Sequence, residues 1–235
     1  MSQLIHVLIT WQRHVTLIRS NNLPIMLAPQ LLTLTEQFLQ HQLSTLLQVD
    51  SLDDVSRIIS PISVFHSASA NFFAPSDQSG IRGMQCKIIR STPRWWQMHK
   101  RRDCVLIVED HGRHGMRGMI VGQVKLLFSF TYDGVTYPCA LIDRFTRVGH
   151  APDPVTGMWK VQPELDPHSN HVQSVEHLDV IFQSAHLIPV FGHGPLPTQF
   201  HYWYSLEAFT TYYVNKYADH HMFEVVVWLD IWLLR

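Results

Sequence analysis

The residues best suited to chemistry in this chain lie between positions 82 and 102. Arg82, Lys87, Arg90, Arg94, Lys100, Arg101 and Arg102 put seven cations into 21 residues with no acidic side chain, and Trp95 and Trp96 stand in their midst. Such a strip attracts phosphate, and paired tryptophans offer faces on which bases or arginines stack. Lys100-Arg101-Arg102 alone has the form of a short nuclear localisation signal. The competing reading is a solvated linker whose tryptophan pair plugs onto a neighbouring domain.

A second set is aromatic. Phe130, Tyr132, Tyr137, Phe145 and Trp159 fall on strands or turns expected to be neighbours. Small barrels of the chromatin-reader type hold methylated lysine in cages of such rings through cation–π attraction. Rings at alternate strand positions otherwise fill the core.

Sixteen histidines invite a metal reading. His111 and His114 are three apart, as are His168 and His171, and His220 and His221 are adjacent. A zinc site needs three or four ligands converging from defined elements, and these pairs sit in expected loops with no cysteine close by. No metal and no cofactor is expected. Neither GxSxG, nor a P-loop, nor GxGxxG after a strand is present. Asp53-Asp54, or Asp143 with Asp153, lack the several-fold convergence of a two-metal nuclease. No catalytic residue is assigned. Cys86, Cys104 and Cys139 are odd in number and form no CxxC, which argues against a disulfide scaffold and fits a reducing nucleus or cytoplasm. Cys139 lies in an apolar strand context and reads as a buried thiol.

These groups need elements to hold them. Leu31, Leu34, Phe38, Leu39, Leu43, Leu46 and Leu47 recur at helical spacing, with a Thr33/Glu36 capping box, and predict a helix over about 32–48. Pro24 and Pro29 read as breakers before it, and a short helical turn is expected over 52–59. From Ile62 the pattern turns to alternation. Strands are predicted over 62–66, 105–108, 119–132, 135–148, 158–161, 172–177 and 186–191, with Asp133-Gly134 as a strong hairpin turn. A turn is expected at 75–80, a bulge or bend at Gly122, and an edge or bulge position for Pro138. A last helix is predicted from near Ser205, through Leu206, Phe209, Tyr213 and Tyr217, with an apolar tail beyond. The fold class is α+β: a helical segment (1–60), a strand/turn and basic-aromatic connector (61–102), a small antiparallel β-barrel-like domain (103–192), and a C-terminal helix and tail (193–235).

Composition narrows the classes. Apolar residues make up 46% of the 235 and charged residues 16%, with a formal net charge of −1. That is too hydrophobic for a disordered tail and too neutral for a globally basic nucleic-acid binder. No apolar segment approaches the roughly 20 residues of a membrane span, so no membrane partner is expected.

Several segments carry a family resemblance. They include 62–68, 73–77, 118–124, Tyr137-Pro138-Cys139-Ala140-Leu141, 152–159, His186-Leu187-Ile188-Pro189-Val190-Phe191-Gly192 and 212–221. In this order the chain, over roughly 25–222, resembles the C-terminal region of fungal DNA-transposon-encoded proteins of the Plavaka (CACTA-like) or KDZ transposase type. The family's nuclease domain, and any zinc-binding cysteine cluster, would lie upstream of the matching region. The resemblance implies a fragment or truncated relative: a non-catalytic accessory module that binds DNA, chromatin, a transposase or another protein partner. The alternatives are a hydrolase-type enzyme using the histidines and carboxylates, or a decayed transposon fragment without selected function.

Overall fold

The computed structural model describes residues 18–19, 28–47, 62–74, 83–96, 98–113, 115–192, 194–196 and 198–231. The turns expected at 52–59 and 75–80, and Arg82, lie outside the described residues. The strands are β1 (Ile18–Arg19), β2 (Ser63–Phe65), β3 (Ser67–Phe73), β4 (Met84–Trp95), β5 (His99–Arg102), β6 (Cys104–Val108), β7 (Met119–Tyr132), β8 (Val135–Arg147), β9 (Lys160–Pro163), β10 (Gln173–His177), β11 (Ile181–Ala185), β12 (Leu187–Pro189) and β13 (Tyr212–Val214). The helices are α1 (Ala28–Leu47), the single turn α2 (Ser205–Ala208) and α3 (His220–Ile231). The fold is α+β, dominated by one nearly closed, barrel-like antiparallel sheet with a helix from each end of the chain.

The long hairpin β7–β8 is its spine. Asp133 (φ 48°) and Gly134 (φ 75°) both adopt the left-handed conformation that a two-residue hairpin turn of matching twist requires. The first half of β7 pairs with β6 and its second half with β2. β8 pairs with β7 along one side, and with β10 and then β9 along the other. Pro138 lies one residue past the last β10 partner, Cys139, an edge position where a missing N–H breaks no ladder.

Gly122 does not mark a bulge. It is paired regularly with Val105 on one side and Arg144 on the other, and a Cβ there would collide with Cγ2 of Ile142. The glycine answers a close approach between layers. The bulge lies at Lys125, because Val124 faces Ile142 and Leu126 faces Leu141. It reverses the side-chain parity of β7. Ile120 and Val124 before it, and Leu127 after it, share one cluster with Ala68, Ala70 and Ile89 of β3 and β4. Val121 before it, and Phe128 and Phe130 after it, enter the clusters beneath α3 and α1. The bulged Lys125 sets its Nζ 2.6 Å from Asp143, which is only 2% exposed and also accepts from Nε2 of Gln173 at 2.6 Å. A buried carboxylate is tolerated because both contacts compensate it.

Helix α1 lays Leu31, Phe38 and Leu39 on Phe128, Phe130, Leu141 and Val175. It begins earlier than the spacing suggests. Thr33 is therefore interior, and Pro29 sits in the first turn, where its missing N–H is no loss. The C-terminal helix also differs from expectation. Only one turn forms at Ser205–Ala208, 212–214 is a strand between β9 and β12, and the true helix starts at His220. Tyr213 and Tyr217 mimic helical spacing, but the run Thr210-Thr211-Tyr212-Tyr213-Val214 favours a strand once two partners flank it. Met222, Val225 and Val226 of α3 bury in the cluster formed by Phe145, Trp159 and Tyr212.

Candidate nucleic-acid interface

Residues 84–102 form two strands rather than a solvated linker. β4 pairs with β3 and β5, giving a three-stranded sheet whose β4–β5 hairpin turns after Trp95, where the Met98 N–H donates to the Trp95 carbonyl at 3.1 Å. The period of two divides the cations that the linear strip seemed to gather. Lys87 shares the inward face of β4 with Ile89 and Ser91, while Met84, Cys86 and Ile88 are exposed. Lys87 pairs with Asp219 and lies 5.3 Å from the centre of the Phe72 ring. Beside it, the buried His221 stacks on Phe72 and lies 3.2 Å, through Nδ1, from Oε1 of Gln183. Lys87 is thus an anchor between the outer sheet and α3.

The other cations gather around tryptophan. The guanidinium groups of Arg90 and Arg101 stand 5.0 and 4.6 Å from the centre of the Trp95 ring. Asp103 accepts from the Arg90 backbone N–H and from Nε of Arg101, each at 2.9 Å. Lys100 pairs with Glu207. The anions missing from 82–102 are therefore supplied by Asp103, Glu207 and Asp219. Pairs as exposed as Lys100–Glu207 contribute about 0–1 kcal/mol, so a phosphate can compete for them. Arg94 is exposed and Arg102 partly so. At the tip, Trp96 and Met98 are each 78% exposed, and Trp96 holds the left-handed backbone (φ 53°) that closes the turn.

Between this hairpin and the turn at 202–207 opens a cleft of about 330 Å³. Trp95, His99, Arg101, Arg102, Gln123 and Trp203 are among its walls. Trp203 stacks with His99 (5.2 Å between centroids) and with His201 (4.3 Å). The strip thus meets a third tryptophan that sequence reasoning missed. The aromatic run His201-Tyr202-Trp203-Tyr204 was the available signal, but nothing local ties it to a hairpin about a hundred residues earlier. Arg82, the remaining member of the strip, lies outside the described residues.

The five rings of the proposed cage do not converge. Phe130 is buried beneath α1, stacked on Tyr137 at 5.3 Å, with Tyr132 packed against the same cluster. Phe145 and Trp159 are buried in the separate cluster beneath α3, where Phe145 meets Tyr212 edge-on at 5.9 Å. Of the histidine pairs, His114 lies outside the described residues. His168 and His171 are exposed in a loop tied by Asp166, which accepts from the backbone N–H groups of His168 and Asn170 at 2.8 Å each. Among the described residues no group of three or more His, Cys, Asp or Glu is placed to hold a metal ion. Burial pushes the Cys104 thiol up to about 12 and raises that of Cys139 as well, whereas Cys86 is exposed on β4. Among the described residues no helix is long and apolar enough to cross a membrane. No protein-family model, curated protein or solved structure matches the chain.

Proposed function

We propose that this chain is a non-catalytic module of transposase descent that binds unpaired nucleic acid through the β4–β5 hairpin. The observation that carries the reading is the cleft in which Trp95 and Trp203 stand among His99, Arg101 and Arg102, beside the exposed Trp96. Stacking on aromatic faces contributes about 1–3 kcal/mol per base and tolerates any sequence. Cations in weak, exposed ion pairs attract a backbone without reading bases. Unpaired strands suit this better than duplex, because a base must be splayed out to stack on the exposed Trp96. A second reading, capture of a partner protein, is favoured by the exposure of both Trp96 and Met98 at the tip.

The test is a salt-dependent titration with single-stranded and duplex DNA. Single strands are expected to bind more tightly. Arg94→Ala/Arg102→Ala should reduce the slope of log K against log salt by ~1.4, at about 0.7 per lost phosphate contact. Absence of binding at low salt, or an unchanged slope in the variant, would count against the proposal.

A further inference from the structure

The first half of β7 turns alternate residues towards the cluster beneath α3. Met119 packs against that cluster and Val121 is buried in it. Gln123 continues the row, and its cross-strand partner, Cys104, is buried in the same cluster. The strand thus places an amide where its own pattern calls for an apolar side chain, and an amide withdrawn from water requires a partner. Among the described residues nothing bonds to the partly buried Gln123 side chain. It opens into the hairpin cleft of about 330 Å³, beside Leu206, which caps the same apolar cluster.

The other groups of the cleft divide into engaged and unengaged. Lys100 pairs with Glu207, and Arg101 with Asp103 at 2.9 Å. Arg90 and Arg101 lie over Trp95, while His99 and His201 stack on Trp203, so both rings already have neighbours. Arg102 and the Ser205 hydroxyl also line the cleft, and among the described residues neither side chain has an ion pair or hydrogen bond. Three cations of the cleft therefore meet two carboxylates, and Arg102 is the one left over. A guanidinium matches phosphate oxygens in pairs. An amide sets a donor beside an acceptor, the pattern that pairs bidentately with N6 and N7 of adenine. A space of about 330 Å³ is at the small end of ligand sites and suits one nucleotide rather than several.

We infer that the cleft seats one nucleotide of the bound strand, with Arg102 on its phosphate and Gln123 on the edge of its base, and that adenine is preferred there. The inference rests on the nucleic-acid reading above and adds to it one position at which a base is read. Anisotropy titrations of the intact chain with a labelled oligothymidine, and with the same strand carrying one central adenine, test it. The adenine strand is expected to bind about fivefold more tightly, the lower end for a bidentate amide–base pair. Gln123→Ala should erase that preference and leave the slope of log K against log salt unchanged. Arg102→Gln should do the reverse, lowering the slope by ~0.7 while the adenine preference survives. Neither side chain bonds to another described residue, so thermal melts of both variants should match wild type. Equal affinity for the two strands, or a preference that persists in Gln123→Ala, would overturn the nucleotide seat and leave the hairpin as the binding surface. Failure of both strands to bind at low salt would remove the hairpin reading and the seat together.

Discussion

The outer three-stranded sheet and the barrel-like sheet use the same residue types in opposite ways. In β7 and β8, Phe130 and Phe145 are 1% and 2% exposed, because helices cover the faces that carry them. On the β4–β5 hairpin, Trp96 is 78% exposed and Trp95 lies beneath two guanidinium groups. The cysteines divide likewise: Cys86 is exposed on the outer sheet, whereas Cys104 and Cys139 are buried in the barrel. An aromatic ring becomes core where a second layer stands over its strand, and stays accessible at a hairpin tip that no layer covers. Residue type alone does not decide between the two.

The sharpest way to break this comparison is thiol reactivity, where the expected effect spans orders of magnitude. In the native chain a disulfide reagent should consume one equivalent, at Cys86. Cys104 and Cys139 should react only through unfolding, and so about 10³-fold or more slowly for a protein of ordinary stability. Rapid consumption of three equivalents would mean that the barrel is not packed as described.

Core truncation comes next. Phe145→Ala should lower unfolding free energy by about 3–5 kcal/mol in a denaturant titration, whereas Trp96→Ala should stay within about 0.5 kcal/mol. Similar losses from both would erase the distinction. Gly122→Ala should cost about 1–3 kcal/mol by overpacking against Ile142, although alanine is otherwise mild in a strand.

The smallest effect concerns a turn at the barrel's rim. Asp153 pairs with Lys160 at 2.6 Å and accepts the backbone N–H of Thr156 at 2.9 Å, which hold its carboxyl down at about 2. The unfolded value is about 3.9, so the folded state prefers the ionised form. Its stabilisation is full above pH about 4 and is lost as pH falls towards 2. Asp153→Asn should therefore be less stable than wild type at pH 7, with the gap closing on acidification. A gap that widens in acid would contradict the assigned contacts.

How much of this was legible in the sequence follows from how local each signal is. The β7–β8 hairpin was readable because Asp133-Gly134 and two alternating flanks lie within a single stretch. Helix α1 was readable in its apolar stripe but not in its start, since a proline that breaks a helix interior is accepted in the first turn. β13 was misread because its strand character depends on β9 and β12, both distant in sequence. The basic-aromatic strip was visible as composition. Its division between two faces, its neutralisation by Asp103, Glu207 and Asp219, and its meeting with Trp203 depend on tertiary contacts.

On the proposed function the outer hairpin, not the aromatic-rich barrel, meets the ligand. Hydrogen exchange of the intact chain, with and without a saturating oligothymidine, tests it most directly. Added protection is expected over 94–102 and 201–207, with β7 and β8 unchanged. Protection confined to β7, β8 or α1, with the hairpin unaltered, would contradict it.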